Sequence, residues 1–235
     1  PVAGRFHIGF CHAVHPALAQ TASRTLNAAI LYNALGWLDL FGIAVFAISG
    51  ALVAARNRQT LVTFAFFALV TGVGGGTVRD LLIGAPVFWV QDTRVPLLCL
   101  SIALLVWITP AKIWRPAAVD WFDAIGLAAY SVFGAAKALQ LGIDPLPAAI
   151  MGVITASVGG VIRDLISGEP SIIVRPELYV TAGALAAFAF VLLAQTGIPG
   201  IIAALIAFVA GFTLRALAII KGLSLPAYRG AEEKE

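Results

Sequence analysis

The sequence is poor in charged residues. Only 11% of its 235 residues are Asp, Glu, Lys or Arg, whereas a soluble domain of ordinary composition carries roughly a quarter. Hydrophobic residues make up 60% of the chain, and its mean hydropathy is +0.97. So few charges cannot cover a water-exposed surface, and we therefore expect the lipid bilayer to be the solvent of this chain.

Basic patches, catalytic pairs and metal-ligand spacings are also missing. The pI is about 9.1, but the Lys and Arg residues are scattered between apolar segments, so nucleic acid is not an expected partner. Cys11 and Cys99 form neither a disulfide framework nor a metal spacing. The histidines are confined to an N-terminal leader, at His7, His12 and His15. We expect no enzyme activity, no resident metal and no cofactor, and we leave open a bound lipid.

Long apolar runs are the dominant feature of the sequence. Taking roughly 20 residues per spanning helix, the sequence contains seven such segments, at 35–55, 60–86, 95–111, 121–141, 145–168, 177–195 and 199–220. Short polar or turn-forming stretches separate them. The sequence therefore predicts an all-α polytopic membrane protein with seven transmembrane helices and no soluble domain.

One motif occurs twice in these segments, with an offset of 84 residues. Residues 71–86 and 155–170 match at eight of sixteen positions, and residues 39–54 and 123–138 match at six positions with the same offset. A single offset across both blocks indicates a duplicated unit. Each unit holds three spans, and this odd number forces the second copy to cross the membrane in the opposite sense.

The predicted organisation follows from this duplication. It comprises a leader (1–34), a first three-helix repeat (35–111), a second, inverted repeat (119–195), a seventh helix (197–221) and a tail (222–235). Eight Lys and Arg residues lie on one predicted side and three on the other. The side richer in basic residues is normally cytoplasmic. We therefore expect a plasma (inner) membrane protein with its N-terminus outside and its C-terminus in the cytoplasm.

The glycines of the motif are unusual inside a membrane span. Glycine costs about 1 kcal/mol per residue relative to alanine in a helix, and loosened backbone survives in lipid only inside protein or beside water. We expect interrupted helices whose freed carbonyls face a path; close helix packing is the alternative. The residues of this predicted hinge and path are Gly74, Gly75, Gly76, Gly159 and Gly160, with hydroxyls from Ser49, Thr71 and Ser157.

An Arg-Asp pair follows the glycines in each copy. An ionisable residue at the centre of a span costs about 2.5–3.5 kcal/mol on insertion scales, so it usually faces protein or water. Arg79 and Asp80 are about 100° apart on a helix and are not expected to neutralise each other across one face. We predict instead the ion pairs Asp39–Arg79 and Asp123–Arg163, one near each end of the path. A purely architectural clamp is the alternative.

Two further basic residues lie inside predicted spans. Lys137 stands where the first repeat has Val53, so it breaks the symmetry of the repeat. Its stem could snorkel to the membrane surface, or its ammonium group could face the path, and the sequence does not favour either. Arg215, near the end of the last span, is expected to snorkel.

Two copies of Gly-Gly-x-x-Arg-Asp-Leu-x-x-Gly-x-Pro, in three-span repeats followed by a seventh span, resemble the prokaryotic trimeric intracellular cation (TRIC) channels. The resemblance covers residues 37 to about 220. It implies a homotrimer with a pore in each subunit, lined by glycine-kinked second and fifth spans and permeable to K⁺ and Na⁺. The residues to which it gives a polar role around the kinks are Arg79, Asp80, Arg163 and Asp164.

Two functions are consistent with these features. A cation pore needs oxygen ligands and a field that does not repel positive charge, and the carboxylates Asp39, Asp80, Asp123 and Asp164 would supply that field. The alternative is a secondary carrier for a small zwitterion such as glycine, because inverted repeats with broken helices suit carriers equally well. Related bacterial proteins with the same duplicated unit have also been labelled glycine transporters. A scaffold whose glycines only pack helices is the third, weaker interpretation.

Overall fold

The computed structural model describes residues 36–115, 117–173 and 177–226. Those from residue 38 onward belong to one compact unit. The predicted leader with its three histidines, and most of the predicted tail, lie outside the described residues. Within them the helices are α1 (Gly36–Arg56), α2 (Leu61–Leu82), α3 (Phe88–Gln91), α4 (Arg94–Ile108), α5 (Ala118–Gln140), α6 (Pro145–Ser167), α7 (Val180–Gln195) and α8 (Gly200–Lys221).

The helix lengths support a membrane protein. Helices α1, α2, α5, α6 and α8 are long and apolar enough to cross a bilayer, and α4 and α7 are shorter apolar helices of 15 and 16 residues. Each of the seven predicted segments contains one of these helices, and the short α3 lies between the second and third. The prediction of an all-α polytopic membrane protein is confirmed.

The repeat motif ends its two helices in the same way. Gly168, which directly follows α6, has a φ of +72°, and Gly84, two residues beyond α2, has a φ of +67°. This left-handed conformation is nearly free of cost only for glycine, and it stops a helix by turning the chain away. The repeated Gly-x-Pro therefore marks where each long helix gives way to a short irregular connection.

The centre of the fold is a close crossing of α2 and α6. The Cα of Gly75 faces the carbonyl of Thr155, and the Cα of Gly159 faces the carbonyl of Thr71, so closely that a Cβ atom on either glycine would overlap that carbonyl. Residue numbers rise along α2 as they fall along α6, so the two helices cross antiparallel. The two contacts are related by the offset of 84 residues, as the inverted repeat requires.

The same symmetry extends to the neighbouring helices. Gly50 of α1 packs against Thr71 Oγ1, and Gly134 of α5 packs against Thr155 Oγ1. The rings of Phe46 and Tyr130, which are also 84 residues apart, lie against each other with centroids 5.5 Å apart. The core of the protein is thus a reciprocal packing of the two repeats across an approximate two-fold axis.

The predicted interruption of the helices at the glycines is wrong. Both α2 and α6 are continuous α-helices through Gly74–Gly76 and Gly159–Gly160. The absence of a Cβ atom lets the two backbones approach within contact distance, and that packing offsets the weak helix propensity of glycine. Close packing, the alternative stated from the sequence, is what these glycines provide.

Candidate functional site

A first buried charge cluster, formed by Arg79, Asp80 and Lys137, lies beyond the crossing on α2. Arg79 and Asp80 are both fully buried. Asp80 Oδ1 accepts hydrogen bonds from Arg79 Nε at 2.8 Å and from Lys137 Nζ on α5 at 2.8 Å. Two cations thus converge on one carboxylate, and the contact joins the first repeat to the second.

Aromatic rings cover the cations of the first cluster. The Arg79 guanidinium lies 5.1 Å from the ring centroid of Phe133 and 5.7 Å from that of Phe88. Lys137 Nζ lies 5.8 Å from the same Phe88 ring. These distances lie within the range of a cation–π attraction, so Phe88 touches both positive charges of the cluster.

A second buried charge cluster, formed by Ser49, Asp123, Arg163 and Asp164, lies beyond the crossing on α6. Arg163 Nη1 is 2.7 Å from Asp123 Oδ1, and Arg163 Nη2 is 2.7 Å from Asp164 Oδ1. The Ser49 hydroxyl donates to Asp123 Oδ1 at 2.6 Å and accepts a bond from Arg163 Nη1. Here one guanidinium serves two carboxylates, so this cluster carries an excess of negative charge.

Each cluster also holds the connection that follows its helix. We call residues 84–89 the first strap and residues 168–173 the second strap. Asp80 Oδ2 accepts from the Phe88 N–H at 3.1 Å, and Asp164 Oδ2 accepts from the Ile172 N–H at 2.9 Å. Both bonds span eight residues, so the repeated aspartate has the same anchoring role in both halves.

The two clusters lie at opposite ends of the crossing. Residues 71–75 of α2 meet residues 155–159 of α6 there. Arg79 lies six residues beyond the middle of the crossing on its helix, and so does Arg163 on the other. At 1.5 Å per residue, each is about 9 Å from the middle, and because the helices are antiparallel the displacements are opposite.

Of the two predicted ion pairs, the structure contains one. The pair Asp123–Arg163 is confirmed by its 2.7 Å contact. The pair Asp39–Arg79 is wrong, since the part of the chain that is described shows no ion pair between them. Asp39 Oδ1 instead accepts from the Tyr130 hydroxyl at 3.2 Å.

The expectation that adjacent Arg and Asp would not neutralise each other is also wrong. Arg79–Asp80 and Arg163–Asp164 both form direct ion pairs, at 2.8 and 2.7 Å. Helical spacing separates the Cβ directions, but the flexible arginine stem is long enough to bring the guanidinium back to the next residue.

The two basic residues considered for snorkelling both turn inward. Lys137 binds Asp80, with a side chain that is 25% exposed, which favours the inward-facing alternative. Arg215 is 1% exposed; it lies 2.8 Å from Glu177 Oε2 and 5.3 Å from the ring centroid of Tyr179. The prediction that Arg215 snorkels is therefore wrong, because its buried guanidinium pairs with Glu177, a half-exposed residue in the connection before α7.

The three hydroxyl-bearing residues that were predicted to line the path lie in different parts of the structure. Ser49 belongs to the second cluster, whereas Ser157 donates to the carbonyl of Val153 on its own helix at 2.7 Å. Thr71 Oγ1 is buried at the crossing and has no hydrogen-bond partner among the described residues. Ser157 and Thr71 therefore lie at the helix crossing, between the two clusters.

Sequence reasoning missed four aromatic residues of the site, of which Phe133 lies over the Arg79 guanidinium. Phe88 covers the first cluster, Tyr130 binds Asp39, and the buried Tyr179 lies over Gly160, where its hydroxyl is 3.3 Å from the position of an added Cβ. The repeat provided a signal for two of them. With the offset of 84 residues, Tyr130 aligns with Phe46, and Phe88 aligns with Ile172. No group of His, Cys, Asp or Glu residues that could hold a metal ion occurs in the described ranges.

Comparison with known proteins finds a matching family model and relatives that are membrane proteins. The family model described as "Glycine transporter" matches residues 36–111 and 120–195. A UPF0126 membrane protein of Vibrio cholerae is 40% identical over 163 residues, which is 67% of this chain and 65% of that protein. The UPF0126 inner membrane protein YadS of Escherichia coli is 40% identical over 149 residues, which is 62% of this chain and 72% of that protein.

Solved structures share the fold along most of the chain. A TRIC trimeric intracellular cation channel orthologue from Rhodobacter sphaeroides is 42% identical with a TM-score of 0.75, covering 81% of this chain and 99% of that one. A prokaryotic TRIC channel solved in 0.5 M KCl is 27% identical with a TM-score of 0.74, covering 83% and 100%. A trimeric intracellular cation channel from C. elegans is 16% identical with a TM-score of 0.58, covering 86% and 100%, and shows the fold alone.

Proposed function

The chain belongs to the glycine transporter family of membrane proteins, and its solved structural relatives include TRIC cation channels; from these structural relatives and its two paired charge clusters we propose that it is a monovalent cation channel. Potassium is the proposed principal ion, with sodium also permeant. The observation that carries the proposal is that the arginine of each cluster is bound to a carboxylate.

Paired arginines remove the main electrostatic objection to a cation path. An unpaired guanidinium beside a narrow path would repel K⁺, and selective pores are built from groups that attract the permeant ion. Arg79 is bound to Asp80, and Arg163 to both Asp123 and Asp164. Asp39 adds a further carboxylate near the first cluster. With Asp39 included, the first cluster has two carboxylates against the cations Arg79 and Lys137, and the second has two carboxylates against Arg163. The net field of the clusters is therefore compatible with a passing cation.

The path is proposed to run along α2 and α6, from one cluster to the other. These helices carry both copies of the motif, and they are the second and fifth spans to which the resemblance gives the pore. Thr71 and Ser157 lie between the clusters and offer hydroxyl groups. In the proposal, α2 and α6 bend at Gly74–Gly76 and Gly159–Gly160 when the path opens, since glycine-containing segments are common sites of helix bending.

The proposed assembly and orientation follow from the relatives and the sequence. We propose a homotrimer, because the orthologue from Rhodobacter sphaeroides is a trimeric channel, and we propose that each subunit contains its own path. The excess of basic residues in the loops of one side supports an orientation with the N-terminus outside and the C-terminus in the cytoplasm, and the inner membrane protein among the relatives supports a plasma-membrane location. The proposal needs no cofactor, and a bound lipid is compatible with it.

A carrier for a small zwitterion such as glycine is the second candidate. The description of the family model favours it, and so does the close neighbourhood of buried cations and carboxylates in an inverted repeat. A carrier of this kind would bind substrate near the crossing and expose it alternately to the two sides. It differs from a channel in having a saturable flux and counter-exchange.

Flux from liposomes distinguishes these two functions. We expect liposomes that contain the purified protein and KCl to lose K⁺ down its gradient without an exchange substrate, because a channel conducts passively. Efflux would be recorded with a potassium electrode in the presence of a protonophore, through which H⁺ enters and compensates the charge of the K⁺ that leaves, using protein-free liposomes with the same protonophore as the control. Saturable uptake of labelled glycine that accelerates with internal glycine, together with no K⁺ efflux, would instead establish the carrier.

A further inference from the structure

The two halves differ at the second glycine of the motif. An added Cβ at Gly76 would lie 2.6 Å from Cε1 of the Phe88 ring. At the equivalent Gly160, its nearest atoms are polar: the Tyr179 hydroxyl at 3.3 Å, Arg163 Nη2 at 3.8 Å and Asp123 Oδ2 at 3.9 Å. The same place in the fold is therefore occupied by an apolar ring in the first half, whereas in the second half the hydroxyl of Tyr179, Arg163 and Asp123 border it.

Phe88 is held in this place from three directions. Its backbone N–H donates to Asp80 Oδ2 at 3.1 Å, and its ring lies within cation–π distance of Arg79 and Lys137. The next residue, Trp89, donates from Nε1 to Thr77 Oγ1 on α2 at 3.0 Å. The first strap is thus fixed to α2 on both sides of the ring, while the ring itself covers the charges.

The second strap shares the backbone anchor but not the ring. Its Ile172 N–H binds Asp164 Oδ2, as the Phe88 N–H binds Asp80 Oδ2. Isoleucine cannot make a cation–π contact, and the Ile172 side chain is buried. The symmetry of the repeat therefore places a backbone anchor at both ends, but only the first strap contributes an aromatic ring, and at the second end it is the hydroxyl of Tyr179 that lies beside Gly160.

We propose that the Phe88 ring is a plug that closes the first-cluster end of the path, and that the second-cluster end has no such plug. This inference rests on the proposed channel function. An apolar ring in a narrow path excludes water and thereby blocks ions, which is how hydrophobic constrictions gate. Opening requires the ring to leave Arg79 and Lys137 together, and both cations then remain bound to Asp80.

The first test removes the ring. In the liposome assay we expect Phe88→Ala to raise the rate of K⁺ efflux by roughly tenfold, because the two cation–π contacts that hold the ring are lost. The matched control is Ile172→Ala, which truncates the equivalent residue of the second strap and should leave the rate unchanged. Both variants would be compared at equal amounts of folded protein by size-exclusion chromatography.

A second pair of variants moves the ring without truncating it. Both alanines stiffen a proposed bending point, so the difference between them reports the ring. Gly76→Ala places a methyl group where the Phe88 ring sits and should raise efflux relative to Gly160→Ala, whose methyl group would lie 3.3 Å from the Tyr179 hydroxyl and displace no ring of a strap. In a Phe88→Ala background, Gly76→Ala should then add little. Because the glycines differ in their neighbours, equal effects of both alanines would indicate a general loss of flexibility and would contradict the plug.

The outcomes separate the inference from the function on which it rests. If wild-type protein conducts and folded Phe88→Ala conducts at the same rate, the plug is wrong and the channel stands. If both pass no K⁺ while glycine is exchanged, the channel function is wrong and the plug falls with it. An increase in the Ile172→Ala control equal to that of Phe88→Ala would also overturn the asymmetry that we infer.

Discussion

Replacing Arg163 by alanine is expected to destabilise the protein by about 3–5 kcal/mol, the usual consequence of removing one partner of a buried ion pair. Asp123 and Asp164 are almost fully buried, and Arg163 is the cation that both of them contact. Without it, two carboxylates would remain close together in the protein interior. The loss would be measured as a lower midpoint of denaturation in detergent.

The equivalent substitution in the first cluster provides a matched comparison. Arg79→Ala should cost clearly less than Arg163→Ala, because Lys137 Nζ stays 2.8 Å from Asp80 Oδ1 and continues to neutralise it. The double variant Arg79→Ala with Lys137→Met should then approach the effect of Arg163→Ala. Equal losses from the two single substitutions would show that the charge balance of the clusters is not as described.

Replacing Gly75 by alanine is the second large expected effect. The new Cβ would overlap the carbonyl of Thr155 on α6, and a backbone atom cannot move aside as a side chain can. We expect the free energy of unfolding to fall by about 1–3 kcal/mol, the usual range for overpacking, despite the better helix propensity of alanine. Proton-exchange protection of α2 and α6 should fall as well.

The neighbouring glycine supplies the control for this prediction. At Gly74 an added Cβ would lie 3.3 Å from Cδ1 of Ile162, the flexible end of a side chain, and 3.6 Å from the Cα of Gly159. Gly74→Ala should therefore be much milder than Gly75→Ala, although the two substitutions change helix propensity equally. If both variants were equally stable, the glycines would act through backbone flexibility rather than through the crossing.

The fold was largely predictable from the sequence because it depends on length and periodicity. A span of about 20 apolar residues has few stable alternatives in lipid, and one offset of 84 residues between two blocks implies a duplicated unit. The reciprocal contacts of Gly75 with Thr155 and of Gly159 with Thr71 are the three-dimensional consequence of that offset. The odd number of spans per unit was enough to predict their antiparallel crossing.

The partners of the charged side chains were less predictable. Whether Arg79 pairs with Asp39 or with Asp80 depends on how far the flexible arginine side chain folds back along its own helix. It binds Asp80, and the Tyr130 hydroxyl, which comes from another helix, donates to Asp39. Lys137 reaches Asp80 across the two repeats, a contact that links residues 57 positions apart. Such choices are made by tertiary packing, which a single sequence does not encode in its spacing.

The glycines show how one pattern supports two physical interpretations. Weak helix propensity predicts an interruption, and small size predicts close packing; both follow from the same missing Cβ atom. The neighbours of Gly75 and Gly159 decide for packing, because each faces a backbone carbonyl of the opposite repeat. The position of Phe88 over Gly76 could not be inferred, since it depends on the course of the strap after α2.

Recording from planar bilayers that contain the purified protein, with a tenfold KCl gradient, tests passive cation conduction most directly. We expect discrete current steps that reverse close to the potassium equilibrium potential, displaced from zero by about 59 mV for a monovalent ion. Such steps would establish a channel in which paired arginines do not exclude cations. Reversal at the chloride potential would contradict the account, and so would a silent bilayer from protein that exchanges glycine in liposomes.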